Sequence, residues 1–193
     1  MRIGIIGAGK LGTAVARRAV AAGHEVLIAG RPGAVGTDLV IEVMVPGATA
    51  APVTEWDAVD LAILAVPFST ALTLDLPLRP GTIVIDPTNH WEPVDGPRPD
   101  LDGLSTSEAI AANHPALVWV KTLNQIGYHD LDESPERPQD MDVATDSADA
   151  ARTVASFLRT IGLAPTVIGS LADGSLLEPG GERFGYQSES KAS

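Results

Sequence analysis

The segment that most constrains the fold is a glycine-rich loop near the N-terminus, Gly7-Ala8-Gly9-Lys10-Leu11-Gly12. It follows the apolar segment Arg2–Ile6, a predicted strand, and opens a predicted helix over Leu11–Ala22. In a loop of the pattern G-x-G-x-x-G, the first glycine permits the tight turn and the second lets a pyrophosphate approach the backbone. The third lets helix and strand pack closely. The loop therefore predicts a dinucleotide site in which Gly7, Gly9, Lys10, Leu11 and Gly12 surround the phosphates.

Strand and helix patterns alternate along the rest of the chain. Further strands are predicted at Glu25–Ala29, Leu61–Val66, Thr82–Asp86, Leu117–Val120, Met141–Thr145 and Thr166–Ile168. Helices are predicted at Asp38–Met44, with Thr37 as its cap, and after Ser147, ending at Gly162. This alternation predicts a doubly wound, mostly parallel α/β sheet of the Rossmann type. We expect a single domain over residues 1–177 and a polar C-terminal tail over residues 178–193.

Composition excludes several classes of function. The net charge of -12 argues against nucleic acid, because phosphates require clustered Lys and Arg. The chain has no cysteine and no histidine spacing typical of metal ligands, so no disulfide, cysteine nucleophile or metal site is expected. No apolar run approaches the roughly 20 residues that cross a bilayer, and no signal peptide is visible. We therefore expect a cytoplasmic protein without a membrane segment.

The end of the second predicted strand indicates which dinucleotide binds. Sites selective for NAD place an Asp or Glu there, which hydrogen-bonds the ribose 2′-hydroxyl. This chain has Gly30 and Arg31 instead. Without the acid nothing repels a 2′-phosphate, and the Arg31 guanidinium can pair with that phosphate or stack on adenine. The sequence therefore predicts NADP(H) as the cofactor.

Three further segments follow predicted central strands, where ligands bind in open α/β sheets. Phe68 and Trp91 predict apolar walls for the nicotinamide and a second flat ring. Hydride exchange between two rings needs stacking and exclusion of water more than a proton relay, so His90 receives a positioning role. Asn124 can bond the nicotinamide carboxamide or carbonyl groups of the acceptor, or belong to a capped turn. The residues expected at this site are Val66, Pro67, Phe68, Thr70, Asn89, His90, Trp91 and Asn124.

A set of motifs in this chain is similar to a known family. The motifs are Gly4–Gly12, Gly23–Val26, Leu61–Phe68, Ile85–Asn89, Val120–Asn124 and Ile168–Gly174. In that order they resemble the NADPH-dependent reductases of the deazaflavin coenzyme F420, also called predicted dinucleotide-binding reductases. The resemblance implies NADP on the Rossmann sheet, with the deazaflavin against the nicotinamide for direct hydride transfer.

The resemblance also implies roles for single residues. Gly7, Gly9 and Gly12 would hold the phosphates, Arg31 the 2′-phosphate, and the strand end at Val66 and Pro67 the nicotinamide. Gly30 stands where family members often carry a hydroxyl residue that helps to hold the 2′-phosphate. We expect a small-molecule redox acceptor and a homodimer. Two other functions remain open: NADPH-dependent reduction of a flavin or other small molecule, and a non-catalytic NADP(H)-binding sensor.

Overall fold

The computed structural model describes residues 1–31, 36–56, 58–98, 101, 103–132 and 137–185. Within them one sheet of eight strands forms the centre of the molecule. The strands are β1 (Arg2–Ile6), β2 (Glu25–Ala29), β3 (Thr49–Ala50), β4 (Leu61–Leu64), β5 (Ile83–Asp86), β6 (Val118–Lys121), β7 (Gln139–Ala144) and β8 (Leu163–Gly169).

Helices connect most of these strands. They are α1 (Lys10–Ala21), α2 (Thr37–Met44), α3 (Phe68–Ala71), α4 (Glu92–Asp95), α5 (Thr106–Asn113), α6 (Tyr128–Asp132) and α7 (Ala148–Thr160). A 3₁₀ helix over Ala172–Leu177 follows β8 and leads into the C-terminal segment.

The strand order of the sheet places a ligand crevice at a defined point. The order is β3-β2-β1-β4-β5-β6-β7-β8, so the chain reverses direction across the sheet between β1 and β4. The pairs from β3 to β6 are parallel, whereas β7 runs antiparallel to β6 and parallel to β8. The predicted doubly wound, mostly parallel α/β sheet is confirmed. In such sheets ligands bind outside the carboxyl ends of the strands at the reversal point.

Apolar side chains cover both faces of the sheet. On one face α1 and α7 pack against the strands through residues such as Val15 and Phe157, both fully buried. On the other face α3 and α5 pack through Phe68 and Ile110, together with the Trp56 ring. Because both faces are covered, the central strands are almost wholly apolar, as expected for a parallel sheet.

Arg18 joins the ends of three helices beside the sheet. It lies in the last turn of α1, and its guanidinium donates to the carbonyl oxygens of Asp130 (3.0 Å), Leu131 (2.5 Å) and Ile161 (2.8 Å). These carbonyls lie at the ends of α6 and α7, where the helix dipole attracts a cation. Burial of the guanidinium lowers the pKa of Arg18, and Asp132 opposes that shift.

Some predicted boundaries differ from the structure. Thr37 does not cap α2, because the N-cap is Gly36, whose φ of 81° suits glycine, and Thr37 is the first helical residue. Strand β8 extends beyond the predicted Thr166–Ile168, because Leu163 and Ala164 also pair with β7. Helix α5 was not predicted, although Ser105 and Glu108 form a capping box at its start.

Candidate functional site

The glycine loop lies at the carboxyl end of β1, and each of its glycines meets a different demand. Gly7 has a φ of 113°, and a Cβ there would overlap the carbonyl oxygen of Ala65. A Cβ on Gly12 would overlap the carbonyl oxygen of Gly7. At Gly9, by contrast, no described atom lies within 4 Å of an added Cβ. Gly7 and Gly12 therefore serve the packing of the loop, whereas Gly9 leaves open space of the kind that a pyrophosphate requires.

Lys10 begins α1 but its side chain extends sideways to α6. The Nζ atom lies 3.1 Å from the Tyr128 hydroxyl and 4.9 Å from the centre of the Tyr128 ring. Lys10 is exposed at the first position of α1. The contact holds its ammonium group beside the glycine loop, where it adds positive charge to that of the helix N-terminus.

A cleft of about 700 Å³ adjoins the loop at the ends of β2 and β3. Gly30, Arg31, Thr37 and Asp38 contribute to its lining. A Cβ on Gly30 would overlap the Cγ2 methyl of Thr37, so the absence of a side chain at residue 30 lets α2 begin against the strand end. The Thr37 hydroxyl oxygen lies 3.4 Å from that same point. Thr37 therefore brings a hydroxyl group close to the place where Gly30 has none.

The ends of β4 and β5 bring together several residues predicted for the nicotinamide side. Val66 contacts the glycine loop, since its Cγ1 atom would lie 3.1 Å from a Cβ on Gly7. Phe68 is 4% exposed, and its ring centre lies 6.0 Å from that of His90. Pro67 caps α3, whereas Thr70 is exposed on that helix.

His90 is oriented by a backbone group and not by a carboxylate. Its Nε2 atom lies 2.8 Å from the carbonyl oxygen of Gly96. A carbonyl oxygen can only accept, so the proton of a neutral His90 is on Nε2 and Nδ1 is the free ring nitrogen. Among the described residues no carboxylate hydrogen-bonds His90, as the acid of a catalytic triad would. This arrangement agrees with a positioning role for His90.

Asn89 and Asn124 join the ends of β5 and β6 through their amide groups. Asn89 Nδ2 donates to the Asn124 carbonyl oxygen (2.9 Å), and Asn124 Nδ2 donates to Asn89 Oδ1 (3.0 Å) and to the Leu177 carbonyl oxygen (2.7 Å). The orientation of both amides follows from these bonds, because a carbonyl oxygen can only accept a hydrogen bond and so requires an N–H group opposite it here. Both N–H groups of Asn124 are therefore used.

The remaining polar atom of Asn124 has no partner. Its Oδ1 atom is buried without a hydrogen bond among the described residues, as is the Thr88 hydroxyl. Asn124 follows Leu123, whose φ of 64° is unusual for a residue with a side chain. Backbone strain of this kind often occurs at functional sites. Asn124 can thus accept a hydrogen bond but not donate one. This favours a ligand N–H group, such as that of a carboxamide, over a carbonyl group of the hydride acceptor.

A buried charged cluster supports this edge of the sheet, and sequence reasoning did not find it. The Lys121 ammonium is 0% exposed and lies 3.3 Å from Asp86 Oδ2 and 3.2 Å from Glu178 Oε1. It also donates to the Thr88 carbonyl oxygen (2.5 Å) and the Thr106 hydroxyl (2.7 Å). A Lys and an Asp at the ends of two apolar strands were the signal that could have indicated it.

The C-terminal segment crosses the same edge. Arg183 pairs with Asp142 of β7 through two nitrogen atoms (2.7 and 3.1 Å), and the Phe184 ring contacts Trp91 with centres 5.6 Å apart. Residues 178–185, the described part of the predicted polar tail, therefore contact the sheet. Residues 186–193 lie outside the described residues.

Other sites are not indicated by the described part of the chain. No group of three or more His, Cys, Asp or Glu side chains is arranged to hold a metal there. Among these residues no helix is long and apolar enough to cross a membrane. His24 is in a structural position, between the N-terminal amino group (3.2 Å) and the Thr160 hydroxyl (2.7 Å).

The sequence matches a known family over its N-terminal half. Residues 2–90 match the model of the family described as NADP oxidoreductase, coenzyme F420-dependent. That range contains the glycine loop, Arg31, Phe68 and His90. The resemblance predicted from the motifs is confirmed over residues 2–90. The fold and this partial match are those of an NADP-dependent oxidoreductase.

Solved structures are similar over most of the chain. A hypothetical protein from Sinorhizobium meliloti is 28% identical, with a TM-score of 0.80 over 94% of this chain and 91% of that one. A candidate F420-dependent NADP-reductase from Arthrobacter sp. FB24 is 23% identical, with a TM-score of 0.70 over 90% and 86%. The 3-hydroxyisobutyrate dehydrogenase of Mycobacterium tuberculosis is 14% identical, with a TM-score of 0.63, and this chain covers 56% of it. The last two similarities show the fold. No curated protein sequence matches the chain.

Proposed function

We propose that this oxidoreductase transfers a hydride between NADP(H) and a flat-ring acceptor, the deazaflavin coenzyme F420. The observation that carries the proposal is the composition of the edge formed by the ends of β4, β5 and β6. That edge combines aromatic rings, Phe68 and Trp91, with a histidine that bonds a backbone carbonyl. Such an edge suits two stacked rings better than a carbonyl or imine, whose reduction needs a proton donor.

The dinucleotide is proposed to lie along the crevice between β1 and β4. Gly9 leaves room for the pyrophosphate beside the N-terminus of α1, and Lys10 adds a positive charge. Arg31, exposed at the mouth of the 700 Å³ cleft, would pair with the 2′-phosphate. Gly30 and Leu11 complete this set as backbone contacts. When bound, the dinucleotide supplies the hydride from its nicotinamide ring.

The nicotinamide is proposed to lie against Val66 and Pro67. The unpartnered Oδ1 atom of Asn124 would accept a hydrogen bond from the carboxamide N–H group, and Asn89 fixes the Asn124 side chain for this task. A buried acceptor without a donor costs about 1–3 kcal/mol, which a ligand donor would recover. Thr70 would contact the cofactor from the exposed side of α3.

The acceptor ring is proposed to stack on the nicotinamide from the side of Trp91. The Trp91 ring is 47% exposed, so it offers apolar surface to a ligand. Phe68 and His90 would close the other side and exclude water from the reacting faces. Because the hydride passes directly between the rings, no protein side chain needs to carry it.

One anaerobic experiment tests the proposal. NADPH oxidation is measured with coenzyme F420, FMN and FAD as separate acceptors, and we expect many turnovers with F420 and slower turnover with the flavins. With 4-deuterated NADPH the label should appear in the reduced deazaflavin without loss to solvent. Faster reduction of FMN or FAD would reassign the acceptor to a flavin. Binding of NADPH without turnover on any acceptor would make the protein a sensor.

We also propose that the protein works in the cytoplasm as a homodimer. Helix α2 supports the second point, since Leu39, Val40, Val43 and Met44 are between 47% and 68% exposed on it. Clustered apolar exposure of this kind commonly marks an interface. Light scattering coupled to size-exclusion chromatography measures the mass in solution, and a mass equal to one chain would contradict the dimer.

A further inference from the structure

The C-terminal segment Leu177–Gly185 is fixed to the sheet at both of its ends. At its start, Asn124 donates to the Leu177 carbonyl oxygen (2.7 Å). Glu178 Oε1 accepts from the Thr106 backbone N–H (2.8 Å) and from the Thr106 hydroxyl (2.7 Å), close to the Lys121 ammonium. Three different parts of the chain therefore hold the first two residues of the segment.

The other end of the segment is held by β7 and by the loop after β6. The Arg183 guanidinium pairs with both carboxylate oxygens of Asp142, a bidentate geometry that fixes direction as well as distance. The Arg183 carbonyl oxygen accepts from Gln125 Nε2 (3.4 Å), and the Gln125 Oε1 atom in turn accepts from the Asp142 backbone N–H (3.2 Å). Phe184, the next residue, is therefore placed by its neighbours and not by the chain terminus.

Phe184 meets Trp91 in an edge-to-face contact. Their ring centres are 5.6 Å apart and their planes are inclined by 71°. A contact of this geometry uses one face of one ring and the edge of the other, so most of the ring surface of the pair stays uncovered by the partner. Trp91 is 47% exposed and Phe184 is half-buried, which agrees with open ring surface beside the site.

The position of this pair in the sheet distinguishes its ligand from the dinucleotide. The glycine loop and the cleft near Arg31 lie over β1, β2 and β3, whereas Trp91 follows β5 and the anchor at Asp142 is in β7. Phe184 thus lies on the side of the proposed nicotinamide position that faces away from the adenosine cleft. A ligand there would approach from the acceptor side.

We infer that Phe184 is a binding residue for the acceptor ring and that, with Trp91, it forms an aromatic wall for a flat heteroaromatic molecule. The inference rests on the proposed function, and it assigns to a segment outside the matched family range a part in acceptor choice. The charge of Arg183 is paired with Asp142, so its task is to position Phe184. The wall therefore recognises ring surface and not an anionic group.

The test compares three substitutions of Phe184 in the full chain. Phe184→Ala should raise the KM for coenzyme F420 about tenfold, in line with loss of one aromatic contact and of the apolar area of the ring. Phe184→Tyr should keep the wild-type KM, because it retains the ring. Phe184→Leu should fall between them, because it retains apolar area without a ring face. The dissociation constant of NADPH should be the same in all three.

Two further variants distinguish binding of the acceptor ring by Phe184 from a purely structural role of the segment. Glu182→Ala changes an exposed residue of the same segment and should leave the KM for F420 unchanged. Arg183→Ala releases the anchor, and it should raise the KM for F420 with little change in kcat or NADPH affinity. Thermal unfolding of each variant shows whether the fold is intact.

The outcomes decide the inference separately from the proposed function. If the wild type reduces F420 while Phe184→Ala keeps the same KM, the aromatic wall is wrong and the proposed function stands. The same conclusion follows if Phe184→Ala and Phe184→Leu are equal to Phe184→Tyr. If the wild type reduces neither F420 nor a flavin, the proposed function fails and the wall fails with it.

Discussion

The two halves of the candidate site differ in whether backbone or side chains form them. The dinucleotide half, at β1 and β2, depends on the backbone: Gly7, Gly9 and Gly12 act through the side chains that they lack. The acceptor half, at β5, β6 and the C-terminal segment, depends on buried side chains such as Lys121, which hold each other in place. A substitution at Gly9 or Arg31 in the first half should therefore affect mainly ligand affinity, whereas one in the buried Lys121 cluster of the second half should affect mainly stability.

The largest effect is expected for Lys121→Met. The substitution removes a buried ammonium and leaves the Asp86 and Glu178 carboxylates without their cation. Breaking a buried pair in this way costs about 3–5 kcal/mol, which urea unfolding would measure. The double variant Lys121→Met, Glu178→Gln should recover part of this loss, because one of the two uncompensated charges is removed. Equal stability of wild type and Lys121→Met would contradict the contrast between the two halves.

Arg31→Ala tests the charged side chain that is proposed to pair with the 2′-phosphate. NADPH binding should weaken by about 1.5–3 kcal/mol, as for hydrogen bonds to charged groups. NADH lacks the 2′-phosphate, so its affinity should hardly change, and the unfolding midpoint should stay that of the wild type. Calorimetric titration with both dinucleotides makes the comparison. Wild-type protein that binds NADH as tightly as NADPH would show that Arg31 does not select the cofactor.

The Gly9→Val variant tests whether the dinucleotide occupies the open space at the glycine loop. No described atom would contact the added Cβ within 4 Å, so the fold should tolerate the substitution. The branched side chain would occupy the space proposed for the pyrophosphate, and NADPH affinity should fall at least tenfold, or about 1.4 kcal/mol. Gly12→Ala is the matched control, because its Cβ would overlap the Gly7 carbonyl oxygen and should lower stability. Unchanged NADPH binding by the Gly9→Val variant would show that the glycine loop does not contact the dinucleotide.

A smaller effect is expected for His90→Ala in the acceptor half. Its ring packs near Phe68 and bonds the Gly96 carbonyl oxygen, so its loss should lower kcat less than tenfold, or about 1.4 kcal/mol. The pH profile of kcat should keep its shape. A loss of about a thousandfold, with a histidine-like pKa missing from the profile, would make His90 a general acid or base. The acceptor would then be a carbonyl or imine.

The smallest expected effect lies outside both halves, at His24. Burial and the N-terminal amino group lower the pKa of His24, while Asp60 acts in the opposite direction. The folded state thus takes up this proton less readily than the unfolded state, whose pKa is about 6.5. Stability from this group should be constant above that pH and decrease as the pH falls below it. The difference between the unfolding midpoints of wild type and His24→Gln should therefore change only in acid, and a difference that is constant from pH 5 to 8 would contradict this.

The same contrast explains what could be predicted from the sequence. The glycine loop, the strands around it and the mostly parallel class of the sheet follow from residues close together in the chain, because local spacing determines a turn, a strand and a helix. The order of the motifs then indicated a resemblance to a known family. The role proposed for Arg31 rests on a similarly local signal, since it was predicted from the residue type at the end of the second strand.

The long-range contacts that support the acceptor half could not be predicted in this way. The bond from Thr106 to Glu178 joins residues 72 positions apart, and that from Asp142 to Arg183 joins residues 41 apart. From composition, the residues after Leu177 were predicted to form a polar tail. In the structure, the polar side chains of Glu178 and Arg183 instead bind the buried residues Thr106 and Asp142. In a sequence, a charged residue that faces solvent looks the same as a charged residue that pairs with a buried group. The two can be told apart only when the fold shows which residue lies opposite the charge.

The cluster around Lys121 also has a consequence for the order in which the chain matures. On the ribosome β1, β2, β4, β5 and β6 emerge well before Glu178, and N-terminal parts of proteins generally begin to fold first. A nascent chain of this protein can therefore complete the glycine loop while Lys121 still lacks its second carboxylate. The acceptor edge is assembled last. A chain halted before Glu178 would have its complete glycine loop beside a Lys121 cluster that lacks one of its two carboxylates.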